Sequence, residues 1–156
     1  LTKLDNTKIT VLFVGDGPER KKMEKFVLKN NINAVFTGFL SQIEISKYYS
    51  VSDVDIVISD YDPSPKAMNE AMNFRLPIIV SSVVGTAQDL VKDGQNGFII
   101  KVGDIDTIAE KINYLNNNRN KLIEMGNKSF EIVQNWSYKE DVDGIIEAFN
   151  FLKNKN

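Results

Sequence analysis

Neither cysteine nor histidine occurs anywhere in the chain. Their absence excludes disulfides, thiol nucleophiles, zinc sites of the Cys/His type and any histidine general base. Chemistry must therefore come from carboxylates, lysines, hydroxyls, backbone amides or a bound group. An excess of positive charge is lacking too. With 19 basic and 21 acidic residues the net charge is −2, so bulk electrostatics attracts neither a nucleic-acid backbone nor an anionic membrane. No apolar run approaches the length of a membrane span, and there is no signal-peptide pattern, internal repeat or low-complexity linker. The polar opening "LTKLDNTK", which starts on Leu1, reads as the middle of a longer chain.

What is present is a regular alternation. A length of 156 residues suits one domain with a proper core. "ITVLFV" (9–14) is almost entirely β-branched or aromatic, as expected of a parallel strand buried on both faces. The turn "GDGPE" and a helix over "RKKMEKFVLKN" follow, with apolar positions Met23, Phe26 and Val27. Further strands are predicted at 34–38, 55–59, 77–82 and 98–102. Helices are predicted from the capping box "SQIE" (41–44), from Pro65 to about Phe74, and briefly around "AQDLV". After "GDID" the chain reads as helical over 104–117, 119–135 and 138–153, the last begun by a second capping box, "SYKE". Trp136, between helices, reads as a packing anchor. Strands alternating with helices predict an α/β fold: a parallel sheet between two helical layers. Ligands of such sheets lie beyond the carboxyl ends of the strands, which selects the loops at 15–19, 38–41, 59–66 and 82–87.

The loop "SDYDPSPKAMNEAM" (59–72) is the richest in chemistry. Residues before proline avoid the α region, so Asp62 and Ser64 are expected to be extended. Ser64 is then the predicted N-cap and Pro65 the first helical residue. The Lys66 and Ala67 amides fall in the first turn, where the helix dipole suits an anion such as phosphate. Lys66 opposes that dipole unless an anion lies between; the same residue reads equally well as a solvated lysine. Asp62 and Glu70, eight positions apart, can each accept two hydrogen bonds from a vicinal diol, or be surface acids near a helix start. "VGDGPER" carries Gly15 and Gly17 but not the third glycine of a dinucleotide fingerprint, nor the lysine of a P-loop. It is a tight turn that lets something approach the backbone, or a turn and nothing more. Gly38 and Phe39 end another strand, and Gly85 and Thr86 offer a fourth loop with a hydroxyl.

Taken together and in order, "VGDGPER", "FTGFLS", "SDVDIVIS", "DPSPKAMNEAMNFRLPIIVSSVVGTAQDLVKDGQNGFIIKVGDID" and "NWSY" resemble the C-terminal, nucleotide-sugar-binding half of GT-B glycosyltransferases of the family 4 type. The resemblance implies a Rossmann-like α/β/α domain over 1–156 with a C-terminal helix over 137–156. It also implies that the preceding acceptor-binding half, and the first strand and helix of this half with their diphosphate-clamping Arg and Lys, lie outside the chain. In the family, the first acid of an E-x7-E motif contacts the donor sugar and the second holds the ribose hydroxyls. Glu70 matches the second; the first is Asp62, one methylene shorter, and prolines stand where glycine is usual. Implied donor contacts are Gly15, Gly17, Gly38, Phe39, Leu40, Ser64, Lys66, Ala67 and Glu70, with Asp62 and Glu70 as the catalytic pair.

The implied reaction is transfer of a sugar, with retention, from a UDP-, GDP- or ADP-linked donor to a glycan or lipid-linked acceptor. It needs no metal and no further cofactor, and the chain alone is expected to be inactive. Nucleic acid is not an expected partner, membrane contact would come only through the other half, and the implied location is cytoplasmic or peripheral to a membrane. Two other readings remain at this point. One is a receiver-type signalling domain with Asp60 as phosphoacceptor, poorly served by the separated acids of "VGDGPE" and the helical extension after 104. The other is a non-catalytic nucleotide-binding module.

Overall fold

The computed structural model describes residues 1–4 and 8–153. The chain divides into two compact units, Leu1–Ser52 with Gly103–Arg119, and Asp53–Val102 with Asn120–Asn156.

In the first unit, β1 (Val11–Val14) leads through α1 (Arg20–Lys29) to β2 (Ala34–Gly38), which pairs parallel to it in the register Val11↔Ala34, Leu12↔Val35 and Phe13↔Phe36. The Phe13 and Phe36 rings stack at 4.6 Å between centroids, a cross-strand aromatic pair that reinforces this register. The register slips after Phe13, so that Val14 meets Gly38. Ser41 then caps α2 (Gln42–Val51) with the reciprocal bonds of a capping box, its hydroxyl accepting from the Glu44 N–H while Glu44 accepts from the Ser41 N–H at 2.9 Å. The last helix of this unit, α5 (Ile105–Asn117), is capped by Asp104, whose Oδ1 accepts from the Thr107 N–H at 3.0 Å. The expectation that β1 is buried on both faces is corrected: its residues are only partly covered and Val14 is exposed, because β1 sits in a two-stranded sheet rather than in the middle of a broad one.

The second unit holds the deeper core. Three parallel strands run in the order β3 (Asp55–Val57), β4 (Ile78–Ser81), β5 (Gly97–Ile100). The central strand β4 is buried at every position, as an unbroken "IIVS" flanked by strands on both sides should be. The helix α3 (Lys66–Asn73) presses Met68, Ala71 and Met72 into the core, and the short α4 (Ala87–Leu90) adds Ala87 and Leu90. From α6 (Arg119–Val133) come Leu122, Met125 and Val133. Full burial of a side chain such as Met68 or Met125 is worth about 1.5–3 kcal/mol each.

Ser129 and Asn96 are both wholly enclosed polar residues, and the bonds of Asn96 are satisfied within the core. Its Oδ1 accepts from the Lys92 N–H at 2.7 Å, and its Nδ2 donates to the Leu90 carbonyl at 3.0 Å. The turn before β5 is thereby held in shape from inside. The last helix, α7 (Tyr138–Lys153), begins at the predicted second capping box, Ser137 with Glu140, and buries no side chain. Trp136 is 45% exposed, so its predicted role as a packing anchor is corrected: it lies at the helix junction before this unburied helix, with little to pack on. Among the described residues no helix is long and apolar enough to cross a membrane.

Candidate functional site

Within the second unit the loops leaving β3 and β4 are tied together by backbone. Ser81, at the end of β4, donates its hydroxyl to the Ser59 carbonyl at 2.6 Å, holding the exit of β3. Further along, Asp62 pairs with Val84 in a parallel bridge, and the Gly85 N–H donates to the Asp62 carbonyl at 2.9 Å. The approach is so close that a Cβ on Gly85 would collide with the Pro63 carbonyl oxygen. Only glycine lets the two chains lie backbone against backbone there.

The Asp62 side chain works on its own loop. Its Oδ1 accepts from the Ser64 N–H at 3.1 Å, an Asx-type turn that uses one of its two carboxylate oxygens. This corrects the capping expectation. Ser64 is not the N-cap: Pro65 holds that position, with φ −68° and ψ 115°, and α3 begins at Lys66 with no side-chain cap. The reason is local. The helix starts at Lys66, so the serine stands one position before the cap. Proline has no side-chain acceptor, so the first-turn amides lack a cap. The Met68 N–H turns back to the Pro65 carbonyl at 3.1 Å. The Lys66 and Ala67 amides have no protein acceptor among the described residues, and both side chains are exposed. Glu70 lies in the same helix and is partly buried. Asp60, the phosphoacceptor of the receiver reading, is exposed two residues before Asp62.

Two groups in the second unit carry unpartnered buried atoms among the described residues: Thr86 Oγ1 and Asp55 Oδ2. Thr86, expected as a hydroxyl donor, heads α4 without capping it. Asp55, at the first position of β3, was not singled out by sequence reasoning. Although the residue keeps part of its surface exposed, its Oδ2 is shut away from solvent. Burial pushes the Asp55 carboxyl up to about 7; the Ile56 backbone N–H opposes this and the Glu70 carboxylate adds to it. The available signal was an acid opening an otherwise apolar strand in "DVDIVIS".

In the first unit the expected glycines shape a turn of their own. Gly15 (φ 110°) and Gly38 (φ 71°) both adopt backbone conformations that L side chains disfavour, and the Gly15 N–H donates to the Gly38 carbonyl at 2.9 Å. The Gly17 N–H is held by Asp16 Oδ1 at 2.7 Å. Arg20 comes close to Gly38, its Nη1 lying 3.3 Å from where a Cβ would be, but its charge is engaged by Glu24 at 2.7 Å and Asp16 at 3.1 Å. Phe39 is 84% exposed and Leu40 is partly buried. Sequence reasoning thus named residues in both units; the second unit brings Asp62, Ser64, Lys66, Ala67 and Glu70 into one loop and helix start. A hollow of about 360 Å³ elsewhere in that unit, walled by Gly94, Gln95 and the ion pairs Lys121–Glu124 and Lys128–Glu131, is lined by none of them.

Comparison with known proteins bears on what such a loop serves. The chain is 28% identical over 141 residues to the sulfoquinovosyl transferase of Arabidopsis thaliana, covering 89% of this chain and 27% of that protein. It is 26% identical over 153 residues to the poly(ribitol-phosphate) alpha-N-acetylglucosaminyltransferase of Staphylococcus aureus, covering 96% of this chain and 30% of the relative. Among solved structures, that of Anabaena HepE in complex with UDP matches with a TM-score of 0.83 at 22% identity, over 96% of this chain and 42% of that one. That of TarM matches with a TM-score of 0.81 at 23% identity, over 91% and 29%. The chain therefore has the fold of these proteins and spans less than half the length of each. Residues 1–132 match the family model for glycosyl transferases group 1, and the chain belongs to that family.

Proposed function

We propose that residues 1–156 are the donor-binding domain of a longer retaining glycosyltransferase, which moves a hexose-type sugar from a nucleoside diphosphate to a glycan or lipid-linked acceptor without a metal. The observation that carries this reading is the tied pair of loops ahead of α3. It places a carboxylate (Asp62), two uncapped amides (Lys66 and Ala67), a lysine and a second carboxylate (Glu70) in nine consecutive residues. Glu70 accepts the ribose hydroxyls, and Asp62 Oδ2 accepts a hydroxyl of the donor sugar. The amides of Lys66 and Ala67, aided by the helix dipole and the lysine charge, hold the diphosphate and stabilise it as the bond to the sugar breaks. Gly15, Gly17, Gly38, Phe39, Leu40 and Ser64 are assigned donor contacts by family resemblance. Solved relatives support a nucleotide donor: HepE has been seen with UDP and with UDP-glucose. Family membership sets aside the receiver reading. The whole protein, not this chain by itself, would carry the transfer.

The test is calorimetric titration of the full-length protein with UDP. Glu70→Ala removes hydrogen bonds to a charged acceptor, worth about 1.5–3 kcal/mol, so binding should weaken by roughly ten- to a hundred-fold. Unchanged affinity would rule out the ribose role.

A further inference from the structure

The turns after β1 and β2 are joined at Gly15 and Gly38, and the amides of the first turn are already committed. The Gly15 N–H donates to the Gly38 carbonyl at 2.9 Å, and the Gly17 N–H to Asp16 Oδ1 at 2.7 Å. The Gly17 carbonyl accepts from the Arg20 backbone N–H at 3.1 Å. A ligand approaching this turn finds room beside the glycines but no spare donor on Gly15 or Gly17. The free donors belong to Arg20. Its Nε donates to Glu24 at 2.7 Å and its Nη1 to Asp16 Oδ2 at 3.1 Å, while the other amino group, Nη2, has no acceptor among the described residues. The guanidinium is held in place between these two carboxylates. It lies 6.0 Å from the centroid of the Phe36 ring and against Gly38, where a Cβ would stand 3.3 Å from Nη1. The Arg20 side chain is nonetheless 30% exposed, so a ligand can reach it.

The local charge decides what such a group can take. One guanidinium faces two carboxylates, so the cluster is negative as a whole and repels a phosphate. A neutral oxygen acceptor meets no such repulsion. Phe39, next to Gly38 in the chain, presents an exposed aromatic side chain on which a flat ring can stack. We propose that Arg20 is a specificity-determining residue, whose free guanidinium N–H groups beside Gly38 donate to a carbonyl oxygen of the donor's nucleobase. The inference rests on the nucleotide donor and on the contact assigned to Gly38. It narrows the donor to a base with an exocyclic oxygen, such as uracil or guanine. Adenine carries an amino group instead, which would set a donor against a donor.

Calorimetry on the full-length protein tests this with UDP, GDP and ADP, and with 2-thio-UDP, 4-thio-UDP and 6-thio-GDP, in which a weakly accepting sulfur replaces one base oxygen. UDP or GDP should bind more tightly than ADP. One thio analogue should bind the wild type more weakly than its parent, by about two- to tenfold. In Arg20→Met, which has no donor, that analogue and its parent should bind alike. A merely structural Arg20 would weaken both in equal proportion, so parallel losses would overturn the role, as would ADP binding tightest. Should Arg20→Met fail to fold, nitrogen-15 NMR of the wild type decides: UDP or GDP should shift the Arg20 guanidinium nitrogens and inorganic pyrophosphate should not. Unmoved nitrogens with bound nucleotide would refute the contact alone. Absence of binding by all three nucleotides would instead remove the donor reading, and the role of Arg20 with it.

Discussion

At the scale of single residues, the buried acid Asp55 makes a claim about stability that is independent of any ligand. Its carboxyl has an ordinary value of 3.8 and stands at about 7 in the folded chain. Between those values the folded state holds the proton more tightly than the unfolded one. The associated stability is therefore complete below about pH 3.8, declines as pH rises toward 7, and is gone above it. Asparagine has nearly the same shape and cannot ionise. Asp55→Asn should therefore gain stability over the wild type as pH rises, by an amount on the order of a few kcal/mol at pH 8 and little at pH 4. Urea denaturation of both proteins at the two pH values checks this; a constant difference would mean that Asp55 titrates normally in the fold.

At the scale of elements, the backbone staple between the β3 and β4 loops is the feature that fixes the candidate site. Its weak point is Gly85, where any side chain meets the Pro63 carbonyl. Gly85→Ala forces two backbones apart, a strain typically costing about 1–3 kcal/mol. Circular dichroism melting should show the loss, and UDP-glucose binding should weaken further than stability alone explains, because Asp62, the proposed acceptor for the donor sugar, moves with Pro63. Full affinity in a folded Gly85→Ala protein would show that the loops need not be joined. These elements were largely legible beforehand. Periodicity located every strand and helix to within a few residues, since β-branched runs such as "PIIVSS" and capping boxes such as "SQIE" act through neighbours in sequence. What escaped depends on contacts between distant segments. Ser64 looked like a cap because its hydroxyl is of the right kind, but the Asx turn around Asp62 and the start of α3 at Lys66 leave it one position too early. "ITVLFV" looked fully buried because composition reports apolarity and not the number of neighbouring strands. Asp55 went unnoticed because its burial is set by packing against α3 and β4, which no local pattern records.

At the scale of the whole molecule, a net charge of −2 spread over 40 charged side chains supplies no long-range field to gather an anionic ligand. Capture of the proposed nucleoside diphosphate would then rest on short-range groups: two helix-start amides, a lysine and a pair of acceptors. Such a site discriminates by fit and by hydrogen bonds rather than by charge. It should hold a nucleoside diphosphate better than inorganic pyrophosphate, which lacks the diol that Glu70 is proposed to accept. A ligand that binds only the folded state stabilises by RT ln(1 + [L]/Kd), about 2.7 kcal/mol at a hundredfold excess over Kd. For a protein of 150–250 residues that amounts to roughly 5–10 °C in melting temperature, and for a longer one to less. Thermal melts of the full-length protein with UDP, GDP, ADP and pyrophosphate should therefore show at least one nucleotide standing clear of pyrophosphate, which should have little effect. Equal shifts from all four would mean that the phosphates alone are recognised and that Glu70 holds no sugar, and no shift from any would remove the donor-binding assignment altogether.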